Sequence, residues 1–296
     1  MSWVLATLIA AAAQTARNAA QTGLTRAIGT VGATQVRFLF GLPFAVLFLA
    51  ATALTTGEAL PVITLRGLGF ALLGAVSQIA ATALMLRLMQ MQSFGLATAW
   101  LKTEPVIVAL MGMVVLGDRL SPPALLAIGI ATLGVLVMSL QPGPAVQMLR
   151  QGRPALLGLC AGALFGLSAI GFRGAILGLE SGGFLMRTVT VLVLGLAMQT
   201  TLLLMWMAAF DRAAIAASLG VWRRSLLAGF LGAFASQFWF IGFALTSAAN
   251  VRTLALIEVI FASAVSFIWF RQPLSARQIS GMAILMAGVG LLLRVH

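Results

Sequence analysis

The stretch TAWLKTEPVIVALMGMVVLGDRLSPPALLAIGIATLGVLVMSL, Thr98 to Leu140, decides how the chain is read. An apolar segment carries Lys102 and Glu104, with Pro105 next. A short polar turn of Gly117, Asp118 and Arg119 follows, then a second apolar segment rich in glycine. The pattern returns from Val251 as VRTLALIEVIFASAVSFIWFRQPLSARQISGMAILMAGVGLLL. Glu104 and Glu258 stand 154 residues apart, and so do Leu120-Ser121 and Leu274-Ser275. An acidic residue inside an apolar segment, followed at a fixed distance by a turn and a glycine-rich segment, therefore occurs twice. Duplicated membrane units of this kind are typical of transporters whose site lies between the halves.

Composition sets the class. Of 296 residues 61% are hydrophobic and 8% charged, and mean hydropathy is +1.09. Soluble domains carry about 25% charged residues, so the fold class expected is an all-α polytopic membrane protein. A spanning barrel would show short alternating segments instead of long apolar runs. The net charge of +12 comes almost wholly from arginine, because Lys102 is the only lysine. These positive charges are dispersed singly along helices and turns, which argues against nucleic acid as a partner. Cys160 is the single cysteine and His296 the single histidine. That excludes an internal disulfide, leaves no histidine-based catalysis, and supplies no metal set. No cofactor and no enzymatic activity are expected. The first apolar segment has no basic residue before Arg17 and reads as a span, not a removed signal.

Ten apolar segments lie at about 2–21, 33–54, 66–88, 94–116, 121–140, 154–177, 184–209, 224–246, 250–271 and 275–294. Each is close to the ~20 residues that cross a bilayer. The breaks hold turn residues such as Thr55-Thr56-Gly57-Glu58, Ser121-Pro122-Pro123 and Glu180-Ser181-Gly182-Gly183. The polar connection 141–153 divides the chain into a first five-helix repeat, 1–140, and a second, 154–296. Five spans per half is odd, so the two repeats must be inverted relative to each other.

Polar residues recur at matching places in the halves. Gln14, Arg17, Asn18 and Gln21 line one helical face of segment one, and Arg173 sits late in segment six as Arg17 does in segment one. Arg37 matches Arg187, and Gln78 matches Gln237. Segments five and ten carry little charge and many glycines. The expectation is that helices one to four of each half surround a polar cavity, while five and ten lie outside it. Glycines 129, 134, 281, 288 and 290 would favour close packing there, compatible with a homodimer.

Glu104-Pro105, the Gly117-Asp118-Arg119-Leu120-Ser121 turn, the glycine-rich fifth span, Glu258 and Pro273-Leu274-Ser275 resemble the drug/metabolite transporter superfamily, in particular its EamA-type ten-span members. The resemblance covers both repeats. It departs at Asp118, where the family often has glutamate, at Arg271-Gln272, and at Val259, which stands where Pro105 would be matched. It implies an inner-membrane carrier of small metabolites, frequently an exporter of amino acids or related compounds, working by alternating access.

The two glutamates have two candidate roles. Each pairs with an intramembrane arginine such as Arg17, Arg37, Arg173 or Arg187, or one of them binds a proton or amine coupled to transport. Lys102 is about 200° round the helix from Glu104 and so is not its same-face partner. The deep cations outnumber the glutamates, which favours a zwitterionic or anionic, amino-acid-like solute. Candidate substrate-binding residues are Gln14, Arg17, Asn18, Gln78, Trp100, Glu104, Arg173, Gln237, Trp239 and Glu258. The partners are a small-molecule solute and the lipid bilayer. A lipid or lipid-precursor carrier and a non-transporting membrane protein remain the rival classes. Orientation is contested: the arginine distribution places both termini outside, while the family resemblance implies both inside.

Overall fold

The computed structural model describes residues 2–91, 101–139, 152–261, 263 and 275–295. Its helices, in order, are α1 (Trp3–Leu39), α2 (Leu42–Thr56), α3 (Leu65–Met91), α4 (Glu104–Met111), α5 (Pro122–Ser139), α6 (Gly152–Leu177), α7 (Phe184–Phe210), α8 (Arg212–Gly220), α9 (Trp222–Leu245), α10 (Ala248–Leu254) and α11 (Ala276–Val295). Among the described residues, six helical stretches are long and apolar enough to cross a membrane: Val31–Thr56, Leu65–Met85, Leu156–Leu177, Phe184–Phe210, Trp222–Leu245 and Ala276–Val295. Shorter apolar helices occupy Glu104–Leu116 and Pro122–Met138. Segment one is helical throughout but is not one of the six, because its polar stripe lowers its hydropathy. Much of segment nine, and the connection 140–151, lie outside the described residues.

Contacts sort the chain into two compact units, and each takes elements from both sequence repeats. The first comprises Met1–Ala83 and Leu167–Thr246, the second Leu84–Gly166 and Ser247–His296. The chain passes between them inside two continuous helices, α3 and α6, and at the Thr246–Ser247 junction.

In the first unit α1 packs along α9, and α2 along α7. α1 turns at Gly29, whose φ of 71° favours glycine, and stops at Phe40 before α2 begins with Pro43 in its first turn. α3 and α6 cross where side chains are absent. A Cβ on Gly171 would lie 2.6 Å from the backbone nitrogen of Gly74. The turn residues seen in the sequence tie the ends of these helices. The carboxylate of Glu58 accepts from the Gly183 N–H at 2.6 Å, and the Thr64 hydroxyl donates to the Gly178 carbonyl at 2.6 Å. Val62 and Glu180 form an isolated antiparallel bridge.

In the second unit α5 lies along α11. Their glycines face each other within the chain. A Cβ on Gly281 would stand 2.7 Å from the Gly134 carbonyl oxygen, and one on Gly288 2.8 Å from the Ala131 Cα. Three of the five glycines singled out in spans five and ten are thus consumed by intrachain packing, while Gly129 and Gly290 face open space. α4 ends in a π-helical turn, Gly112–Leu116, closed by Gly117 in the left-handed conformation at φ 68°. That is why a glycine stands at the turn motif: the left-handed position closing a helix carries no penalty without a Cβ.

Filling the α5–α11 contact is expected to destabilise the protein. Gly134→Leu or Gly288→Leu should cost at least about 1–3 kcal/mol, the usual cost of overpacking, in denaturant unfolding of the detergent-solubilised protein. Gly290→Leu, which meets open space, should unfold as the wild type does.

Candidate functional site

Two helices are interrupted at equivalent places. Lys102 and Thr103 form a turn between helical Leu101 and the start of α4 at Glu104. α10 ends at Leu254, a 3-10 turn follows over Ala255–Ile257, and helix resumes at Glu258. Across the 154-residue offset, the turn at 102–103 falls on 256–257. Pro105 explains the first interruption. It has no N–H to bond the Leu101 carbonyl, and it sits in the first turn of a new helix, where that loss costs little. In the second repeat Val259 keeps its N–H, and the helix tightens instead of restarting. Glu104 stands in the first turn of α4, at the end of the helix dipole that favours a carboxylate. Interrupted spans at matching positions of two repeats are a structural mark of transporter binding sites.

The charged residues at these interruptions pair across the repeats. The Lys102 ammonium contacts Oε1 of Glu258, and Nε of Arg252 lies 3.1 Å from Oε1 of Glu104. The base of the first repeat meets the acid of the second, and the base of the second meets the acid of the first. Lys102 and Glu104 are two residues apart in the chain and Arg252 and Glu258 six, so the two crossed pairs form one cluster. All four belong to the second unit. Their side chains are only 14–17% exposed. At an effective dielectric of about 20, two unit charges 4 Å apart attract by ~4 kcal/mol. Removing each ion from water costs several kcal/mol. The pairs are therefore close to balanced overall, while removing one member strands a charge. Such a cluster contributes little to stability.

Lys102 stands in the turn before α4, not on one helix with Glu104, and contacts Glu258 of the other repeat. Neither Lys102 nor Arg252 was among the binding candidates. The available signal was Lys102 itself, the single lysine of the chain, two residues from an aligned glutamate. Arg252 has no basic counterpart in the first repeat, where Thr98 stands at the matching position, so the repeat comparison could not find it.

Gln14, Arg17, Asn18, Gln78, Arg173, Gln237 and Trp239 fall in the first unit, where several bind other helices. Oε1 of Gln14 accepts from Nε1 of Trp239 at 3.2 Å. Oε1 of Gln78 accepts from Nε2 of Gln199 at 2.6 Å, and Nε2 of Gln237 donates to the Thr188 hydroxyl at 3.0 Å. The matched glutamines of spans three and eight therefore both engage α7. Nη1 of Arg173 donates to the carbonyls of Phe243 (2.8 Å) and Thr246 (2.7 Å), groups left over where α9 ends. Arg17 is 7% exposed. The Asn18 side chain and Trp100 lie outside the described residues.

A cavity of about 230 Å³ also opens in the second unit, lined by Arg119, Ser121, Asn250, Leu292 and Val295 among others. It contains none of the four paired residues. Among the described residues no group of three or more metal-ligating side chains is present.

The model of the EamA-like transporter family matches residues 1–140 and again 152–294. The chain belongs to the EamA-like transporter family. It is accordingly a multi-pass membrane transporter of the drug/metabolite transporter superfamily, and the family is not one of enzymes. No curated protein matches the sequence. A solved structure described as "Crystal structure of protein" is similar over 100% of both chains, with a TM-score of 0.70 at 14% identity. That likeness carries the fold alone.

A double-mutant cycle tests the crossed pairs. Lys102→Gln and Glu258→Gln should show a coupling of about 0.5–3 kcal/mol in unfolding of the solubilised protein, the range for residues in direct contact. Arg252→Gln with Glu104→Gln should couple in the same sense. Additive losses in both cycles would contradict the pairing.

Proposed function

We propose that this EamA-like chain is a ten-span secondary transporter of the cell inner membrane. Its inverted five-helix repeats, 1–140 and 154–296, work by alternating access around a central polar cavity. The cargo is a small zwitterionic or anionic, amino-acid-like metabolite, and the direction is export.

The observation that carries this reading is the cross-repeat cluster of Lys102, Glu104, Arg252 and Glu258 at two interrupted spans. Two acids and two bases sum to zero. A solute bearing both an ammonium and a carboxylate can replace one internal pair without changing the net charge held away from water: its ammonium takes Glu258 and its carboxylate takes Lys102. A neutral solute has no such exchange open to it, and a stranded charge in that environment is costly. The same exchange couples binding to movement, because it releases one repeat's base from the other repeat's acid. An equilibrium shifts only by the difference in a ligand's affinity for the two states, and loss of a cross-repeat pair supplies such a difference. The arginine excess at Arg17, Arg37, Arg173 and Arg187 supports an anionic group on the cargo.

The direct test is flux. Purified protein in liposomes, loaded with a panel of radiolabelled zwitterionic amino acids, should release at least one of them faster than protein-free vesicles. Glu258→Gln should abolish that release while the protein still folds. Transbilayer movement of a labelled lipid in the same vesicles, without flux of any amino acid, would overturn the reading in favour of a lipid carrier.

A further inference from the structure

The Gly117-Asp118-Arg119-Leu120-Ser121 turn stands out in the sequence, yet it takes no part in the crossed pairs. Its last three residues line the cavity of about 230 Å³ in the second unit. The other walls come from Ala124 in the first turn of α5, from Asn250 at the start of α10, and from Leu292 and Val295 at the end of α11. Segments far apart in the chain therefore bring a guanidinium, a hydroxyl and an amide to one hollow. Asn250 is 5% exposed, so it belongs to the wall of the hollow and not to the open surface. Across the 154-residue offset Arg119 falls on Pro273 and Asn250 on Leu96. The arrangement therefore has no copy in the other repeat.

Two of these groups have donors to spare. Among the described residues Arg119 is exposed and has no hydrogen-bond or ion-pair partner. The Ser121 oxygen accepts from the Ala124 N–H at 3.4 Å, which leaves its own proton for an outside acceptor. Pro122 and Pro123 open α5 without N–H groups. Side chains, not bare backbone amides, are thus the donors here, with the positive end of the α5 dipole behind them. The charged residues nearest in sequence to the cavity lining are Asp118, beside Arg119 in the turn, and Arg294, between Leu292 and Val295. Arg252, two residues from Asn250, is engaged by Glu104.

A guanidinium with further donors from other segments suits a tetrahedral phosphate. The volume is below the ~300–1,000 Å³ of pockets that enclose a drug-sized ligand, so the hollow takes a group and not a whole large solute. Leu120, Ala124, Leu292 and Val295 complete the lining with apolar surface, which fits the carbon neighbours of a lipid-borne phosphate. Basic pockets between the ends of spans are where lipid headgroups bind. We infer that Arg119, Ser121 and Asn250 form a phosphate subsite beside the turn after α4, filled by the headgroup of a membrane lipid or by a free phosphate. The site is separate from the crossed pairs, and the inference does not rest on the transport reading.

The test uses the full-length protein, stripped of lipid, in dodecyl maltoside, a detergent without phosphate. Isothermal titration is run with ionic strength held constant by sodium chloride. Inorganic phosphate probes the free ion, and dihexanoyl phosphatidylglycerol probes the lipid headgroup. Wild-type protein is expected to bind at least one of them, and the tighter of the two names the source. Arg119→Gln should weaken that binding roughly tenfold or more, as loss of a charge-assisted contact does, and Arg119→Lys should weaken it less. Val295→Trp narrows the cavity without removing a polar group and should weaken it as well. Arg224→Gln, at an exposed arginine of the first unit, should leave it unchanged. Thermal melting reports whether each variant is folded. Binding of neither probe to wild type, or equal binding by wild type and folded Arg119→Gln, overturns the inference. Amino-acid flux in liposomes is a separate readout: its absence beside Arg119-dependent phosphate binding would leave this site standing while the transport reading fails.

Discussion

An ionised side chain inside an apolar span must find an opposite charge or water, and this protein depends on how it meets that constraint. Placing a charge at the centre of a bilayer costs at least ~2.5–3.5 kcal/mol. Four ionisable side chains, each 14–17% exposed, gather at the interrupted helices around Glu104 and Glu258, in two pairs that cross between the sequence repeats. The crossing matters more than the pairing. A pair within one repeat would lock that repeat to itself and leave the other free. A crossed pair makes each repeat's buried acid depend on a base from the other, so the two copies of the ancestral module cannot part without stranding charge. The interruptions position the acids: Glu104 opens a new helix after the turn at 102–103, and Glu258 follows the tightened segment at 255–257.

The compact units add a second feature. Neither coincides with a sequence repeat, because α1, α2 and most of α3 associate with α7 to α9, whereas α4 and α5 associate with α10 and α11. The glycines of α5 and α11 hold the second unit together by close backbone contact, and those of α3 and α6 do the same in the first. Glycine here serves packing between helices that already belong to one chain. Only α3, α6 and the Thr246–Ser247 junction carry the chain from one unit to the other, and Arg173 is spent on the last carbonyls before that junction.

How far the sequence showed this in advance follows from the physics of each residue. The membrane class and the twofold repeat were legible because composition and a 154-residue offset are properties of sequence alone. Glu104 and Glu258 were legible for the same reason. Their partners were not. Lys102 was set aside on helical periodicity, which does not run through the turn at 102–103 and says nothing of what a side chain meets on another helix. Arg252 matches Thr98, so no repeat symmetry pointed to it. The paired glutamines Gln78 and Gln237 were seen, yet their engagement of Gln199 and Thr188 on α7 depends on packing that no spacing rule encodes. The glycines of segments five and ten were read as a packing surface; Gly134, Gly281 and Gly288 pack between those two helices, while Gly129 and Gly290 face open space.

The crossed pair can be observed directly because the chain contains one lysine. Protein labelled with 15Nζ-lysine and 13Cδ-glutamate, reconstituted in lipid, has a single ammonium nitrogen whose distance to carboxylate carbon is measurable by solid-state dephasing NMR. The account predicts strong dephasing from a carboxylate at ion-pair distance, within about 4 Å, that is lost in Glu258→Gln and kept in Glu58→Gln. An ammonium that shows no nearby carboxylate, or whose dephasing is untouched by Glu258→Gln, would contradict it.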